Sequence, residues 1–166
     1  SFRINDLVEE LVRRGHEVTV LTGEPNYPSG ILFPEYKKEP SSFESYNGCR
    51  IVRVPIIMRG QSSGRKLMLN YISYAFSASF FGLWKLRKES FDVIFVFQLS
   101  PIALALPAVF YKFLYKKPIV MWVQDLWPDT LEAVGVVKSP RLLALIGRLV
   151  SFIYNRCDLV LGQSKA

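Results

Sequence analysis

Apolar residues in the opening segment recur at helical spacing. Ile4, Leu7, Val8, Leu11 and Val12 share one face of residues 4–14 and charged groups take the other, which predicts an amphipathic helix. Gly15 stands where a C-cap glycine belongs. Residues 17–22 (EVTVLT) then change to a β-branched strand pattern. A helix followed by a strand is the second half of a strand–helix–strand unit, so a first strand is expected before Ser1. Further strands are predicted at 49–55, 92–97, 118–123 and 158–161. Among these, the unbroken VIFVF run of 93–97 suits a buried parallel position. Helices are predicted at 66–88, after the loop 98–101 as far as Tyr115, and from the loop 124–128 to about Arg156, with a Pro- and Tyr-rich loop over 24–44. Strands alternating with helices in this way predict an α/β fold with a doubly wound, Rossmann-like parallel sheet.

Length changes little in that picture: 166 residues suit a single domain, 1–166, with a sizeable core. A content of 50% hydrophobic and 14% aromatic residues excludes a disordered tail or a collagen-like repeat. Charge changes more. The formal net charge is +7, and between Ser45 and Lys88 there is no acidic residue, while Arg50, Arg53, Arg59, Arg65, Lys66, Lys85, Arg87 and Lys88 are all basic. These groups bracket an apolar segment, which favours an anionic membrane surface or a lipid-linked anion over nucleic acid. Cys49 and Cys157 lack CxxC spacing and read as two reduced, packed thiols, with no zinc site. The opening Ser1-Phe2-Arg3 lacks the pattern of a signal peptide, and the apolar runs 71–84 and 101–115 are too short and too interrupted to span a bilayer.

Ligands of doubly wound sheets bind beyond the carboxyl ends of the strands. The loops to read are therefore 23–29, 56–64, 98–101, 124–129 and 162–164. Asn26 and Tyr27 offer donors and a stacking surface in a loop that is also an ordinary Pro-fixed turn. Asp125 follows an apolar strand and leads into Trp127-Pro128-Asp129. Both acids fit helix capping, and Asp125 equally fits a group that orients or deprotonates a substrate hydroxyl. His16, in the turn at the opposite end of the sheet, reads as structural. Neither a Gly-x-Gly-x-x-Gly nor a phosphate loop with Lys occurs, but Ser1, Phe2 and Arg3 stand at the positive end of the first helix, a natural anion site.

The predicted helix 66–88 is apolar nearly all round, with a thin polar stripe at Asn70, Ser73 and Ser77. Arg65 and Lys66 precede it, Lys85, Arg87 and Lys88 end it, and Phe80, Phe81 and Trp84 add bulk. It reads as a membrane-contacting interfacial element or as a helix buried in a larger core, the two being compatible on different faces. A second basic-aromatic cluster lies at 110–117 (FYKFLYKK).

The segments SFRINDLVEELVRRGHEVTVLTGEPNYPSG, VMWVQDLWPD and CDLVLGQS resemble the N-terminal half of bacterial family-4 glycosyltransferases. The likeness is nearest to the L-fucosamine-type transferases of O-antigen and capsule assembly. It implies one half of a GT-B fold, the acceptor-binding domain, with a donor domain expected after Ala166. Such enzymes retain anomeric configuration and use neither metal nor cofactor, so the Asp125…Asp129 pair is not a metal-binding DxD. Many members carry His-Asp at the end of the fifth strand. Here the pair is Gln124-Asp125, which leaves Asp125 as the expected catalytic-site residue and Gln124 as a polar contact. Asn26, Tyr27, Arg59 and Gln98 are the expected acceptor-binding residues. The implied partners are a UDP- or GDP-linked sugar, a polyprenyl-diphosphate-linked saccharide and the anionic inner face of the bacterial plasma membrane, with the domain cytoplasmic and peripheral. The 166-residue chain is expected to be inactive by itself. The alternative is a non-catalytic Rossmann-like binding module or membrane-surface scaffold.

Overall fold

Strand pairing and packing divide the chain into two units, Ser1–Lys88 and Glu89–Ala166. The computed structural model describes residues 2–60, 64–128 and 139–162. Parallel strands alternate with helices in both units, the α/β Rossmann-like class that the sequence pattern predicts.

In the first unit, helix α1 (Phe2–Arg13) ends at Gly15, whose φ of 86° is the left-handed conformation a C-cap glycine supplies. Strand β1 (Thr19–Gly23) pairs in parallel with β3 (Cys49–Val54), from Thr19 beside Arg50 to Gly23 beside Val54. The predicted loop 24–44 contains a short helix α2 (Pro34–Lys38) and a 3-10 turn (Pro40–Phe43). It leads to a two-residue strand β2 (Ser45–Tyr46) antiparallel to β3. Asn47 and Gly48 join β2 to β3 with φ values of 43° and 84°, the positive pair that a primed hairpin turn requires. Glu9 on α1 fixes this hairpin: its Oε1 accepts from Tyr46 Oη at 2.6 Å and from Asn47 Nδ2 at 2.9 Å.

The predicted helix 66–88 is three pieces: α3 (Gly64–Ser77), a π turn (Ala78–Gly82) and α4 (Leu83–Leu86). Its polar stripe points inward. Asn70 is buried and donates from Nδ2 to the Ile57 carbonyl at 2.7 Å, while Ser73 Oγ accepts the Ile57 N–H at 2.9 Å. Both backbone groups of Ile57 are thus held by the polar side of α3. Tyr74, on the same side, donates to the Leu21 carbonyl, and burial pushes its phenol up to about 12. The small residues Ala78 and Gly82 are buried where the π turn packs on β1 and β3. The apolar positions Met68, Ile72, Phe76, Phe80 and Trp84 therefore form an exposed ridge, with Leu69 and Phe81 beside it. The helix thus buries one face and exposes the other.

In the second unit, β4 (Ile94–Gln98), β5 (Ile119–Val123) and β6 (Leu159–Leu161) pair in parallel in that order. A 3-10 turn (Ile102–Ala105) runs into α5 (Leu106–Tyr115), and α6 (Pro140–Tyr154) precedes β6. Ile102, Ala105, Met121, Val123, Val150 and Ile153 make the core between the central strand and these helices. The expected buried position of β4 is only partly realised. It borders one strand in the described pairing, and Phe95 remains exposed.

Asp158 latches the start of β6 to β5. Its Oδ2 accepts the Ile119 N–H at 2.7 Å and the Lys112 ammonium, and these two groups hold its carboxyl below the usual value. A depressed carboxylate contributes stability that is complete above the unfolded value and is lost as pH falls through the folded one. Asp158→Asn is therefore expected to lower the melting temperature at neutral pH, with the gap to wild type closing as pH falls below the ordinary carboxylate range. A gap that persists in acid would assign the loss to another cause. In the first unit, Asn70→Ala is expected to cost about 1–2 kcal/mol in urea unfolding, because it strips a part-buried carbonyl of its donor. An unchanged midpoint would show that Ile57 is held by other means.

Candidate functional site

The ends of β1 and β3 are level, and the ladder runs one step further through Glu24 N–H to the Val54 carbonyl at 3.1 Å. The following loops therefore leave the sheet side by side. Asn26 Nδ2 turns back to the Glu24 carbonyl at 3.0 Å, and the Asn26 carbonyl accepts the Gly30 N–H at 2.6 Å. Gly30 has φ of 76°, and a Cβ there would run into the Gly60 carbonyl. Only glycine fits, because the Gly30 carbonyl accepts the Gly60 N–H at 2.8 Å and draws the two loops together. Arg59 completes the junction: Nη2 donates to the Pro28 carbonyl at 2.9 Å and the guanidinium lies 5.6 Å from the Tyr27 ring centre. Asn26, Tyr27 and Arg59, three of the expected acceptor residues, are thus one cluster, with the Tyr27 ring 76% exposed.

Arg53, at the end of β3, is an element that motif reading missed. Its Nη1 donates to the Gly23 carbonyl at 3.0 Å, and its guanidinium lies 5.8 Å from the Tyr36 ring and 6.0 Å from the Phe43 ring. Burial pulls its pKa down. The signal available was an arginine alternating with Cys49 and Ile51 in CRIVRV, on the side of the strand where a core residue is expected.

In the second unit, Gln98 is level with Val123, and the Gln124 N–H donates to the Gln98 carbonyl at 3.0 Å. The loops after β4 and β5 also leave side by side. Asp125 joins them: Oδ2 accepts the Ser100 N–H at 3.0 Å and the Ser100 hydroxyl at 2.6 Å. Trp127 Nε1 donates to the same hydroxyl oxygen at 3.0 Å. Gln98 is buried; its Nε2 donates to the Leu99 carbonyl at 2.9 Å, and its Oε1 has no hydrogen-bond partner among the described residues. Gln98, Gln124 and Asp125 therefore gather at one pair of strand ends and Asn26, Tyr27 and Arg59 at another. The Asp125 carboxylate is engaged as the tie between two loops.

The other expected residues are placed as follows. Ser1, Asp129 and the 163–164 stretch lie outside the described residues. Phe2 opens α1 and Arg3 is exposed in its first turn. Arg65, Lys66, Arg87 and Lys88 are exposed, as are Phe80, Phe81 and Trp84. Arg87 stacks 4.7 Å from the Trp84 ring. Lys85 is committed internally, donating to the Arg53 carbonyl at 2.7 Å. Cys49 and Cys157 are unpaired thiols pushed up by burial. Among the described residues, no group of three or more His, Cys, Asp and Glu is placed to hold a metal ion, and no helix is long and apolar enough to cross a membrane.

Parallel strands whose carboxyl-end loops gather polar and aromatic groups define a Rossmann-like α/β domain. The chain belongs to the glycosyl transferase 4-like domain family, which it matches along residues 1–166. A comparison with curated proteins gives no match.

Asp125→Ala is expected to free the Ser100 amide. Hydrogen exchange at Ser100 should accelerate and the Trp127 emission should shift, while amides of the β4–β5 ladder stay protected. Unchanged exchange at Ser100 would show that Asp125 does not hold this loop.

Proposed function

We propose that this domain is the acceptor-binding lobe of a retaining glycosyltransferase. In this reading the enzyme moves a sugar of amino-deoxy type from a UDP- or GDP-sugar to a polyprenyl-diphosphate-linked glycan. The setting is surface-polysaccharide synthesis on the inner face of the bacterial plasma membrane. The observation that carries the proposal is the pair of hydrogen bonds at Ile57, whose carbonyl accepts from Asn70 Nδ2 and whose N–H donates to Ser73 Oγ. They turn the apolar ridge of α3 outward and, through the same short segment, fix the loop in which Arg59 grips the Tyr27 loop.

A lipid-linked saccharide has an apolar chain, a diphosphate and a polar glycan, and this unit offers a counterpart to each. The ridge from Met68 to Trp84 suits acyl chains, with Arg65, Lys66, Arg87 and Lys88 for anionic headgroups. Arg59 has the fork geometry that pairs with phosphate oxygens. Tyr27 gives a flat face, and Asn26 a polar one, to a sugar ring. The nucleotide-sugar is held mainly by a second lobe in this proposal, without metal. Gln124 and Asp125 stand near the acceptor hydroxyl, and catalysis comes chiefly from positioning and from stabilising the leaving nucleotide diphosphate.

Two measurements on the chain test this. It should float with phosphatidylcholine vesicles only when they contain phosphatidylglycerol, less so as salt rises. Phe76→Ser with Trp84→Ser should abolish flotation, since each exposed ring contributes about 1.5–3 kcal/mol on burial. A synthetic polyprenyl-diphosphate saccharide in detergent should bind about tenfold more weakly to Arg59→Ala. Flotation that ignores both lipid charge and the ridge, or acceptor binding that ignores Arg59, would overturn the proposal.

A further inference from the structure

The amino ends of β5 and β6 carry chemistry that acceptor binding at the opposite strand ends does not use. There the surface sinks into a depression of about 460 Å³, lined by four cations, Lys112, Lys116, Lys117 and Arg156, against one carboxylate, Asp158. The carboxylate is already satisfied, because Lys112 and the Ile119 N–H both donate to it. Lys112 also donates to the Arg156 carbonyl at 2.8 Å, so one cation is used to neutralise and fasten the floor. Lys116 and Lys117 form no ion pair among the described residues. Lys116 ends α5 in the left-handed conformation, φ 54°, and its N–H closes on the Lys112 carbonyl, which brings two successive lysines to the rim. The Arg156 guanidinium lies over the Phe152 ring, 4.9 Å from its centre. Phe113, on the same lining, is 77% exposed.

Three cations surplus to the one carboxylate pair around a cup of this size repel one another and attract a multiply charged oxyanion. The cup is too shallow in acceptors for a cation and too charged for an apolar ligand. We propose that this depression is a phosphate site: Lys116, Lys117 and Arg156 bind a phosphate group, either free or as the headgroup of a lipid whose chains lie against Phe113. This site is independent of the acceptor reading above, since it uses none of those residues.

Amide spectra of the isotope-labelled chain test it. The probes are inorganic phosphate, potassium chloride at equal ionic strength, and small phosphatidylcholine bicelles with and without phosphatidylglycerol. Phosphate, and not chloride, should shift the amides of 112–117 and 156–158. Lys116→Asn with Lys117→Gln should weaken the response by about tenfold or more; Asn is chosen at 116 because it tolerates the left-handed backbone. The paired Lys→Arg variant should keep it. If only bicelles containing phosphatidylglycerol shift these amides, the phosphate bound is a lipid headgroup. Shifts that chloride reproduces, that survive in the Asn/Gln variant with its remaining spectrum unchanged, or that appear with neither phosphate nor phosphatidylglycerol would overturn the site.

Discussion

Ile57 is held at both its backbone groups by two side chains one helical turn apart, and the first unit is organised around that grip. Asn70 supplies the donor and Ser73 the acceptor. A buried amide side chain without partners costs more than its bonds return, so α3 can only bury its polar stripe because Ile57 completes it. Once that face is committed inward, geometry decides the other. Residues spaced by four must emerge on the far side, and these are Met68, Ile72, Phe76, Phe80 and Trp84. The helix is amphipathic in the inverse sense of an ordinary surface helix. The exposed apolar ridge is thus a consequence of the loop it supports.

The two units solve a common problem in different ways. Each has a pair of parallel strands ending level, and each must hold two loops that leave together. The first does so with backbone, through Asn26, Gly30 and Gly60, and closes the junction with Arg59. The second does so with side chains, through Asp125, Ser100 and Trp127. The backbone solution leaves the Tyr27 ring exposed, whereas the side-chain solution occupies Asp125 Oδ2. A carboxylate tied in this manner can still position a neighbour accurately, since its own orientation is set by two donors.

Much of this was legible in the residues. Helical spacing in α1 and the apolar runs of β3, β4 and β5 placed those elements to within a few residues, and Gly15 marked a true helix end. The Asn26, Tyr27 and Arg59 grouping followed from the rule that loops at carboxyl strand ends converge. The hairpin at Asn47-Gly48 was also written in the sequence, as the strongest short hairpin signal there is, but Ser45–Tyr46 is too short to show alternation. The direction of α3 was not legible. Periodicity separates a polar stripe from an apolar one, and cannot say which meets the protein until the partner, here Ile57, is known. The Asp125–Ser100 contact spans two loops and has no local signature either.

Arg50 on β3 aside, the cations of the acid-free stretch between Ser45 and Lys88 divide into two kinds. Arg53 is stacked against Tyr36 and Phe43, Lys85 donates to the Arg53 carbonyl, and Arg59 holds Pro28 beside Tyr27. These three contribute to structure, and their charge is partly desolvated or shared with carbonyl groups. Arg65 and Lys66 at one end of the α3–α4 segment, with Arg87 and Lys88 at the other, are exposed and bracket the apolar ridge. Positive charge therefore stands at both ends of an apolar strip, with no carboxylate in that stretch of sequence to offset it. It is this arrangement, more than the formal charge of +7, on which the proposed membrane contact rests.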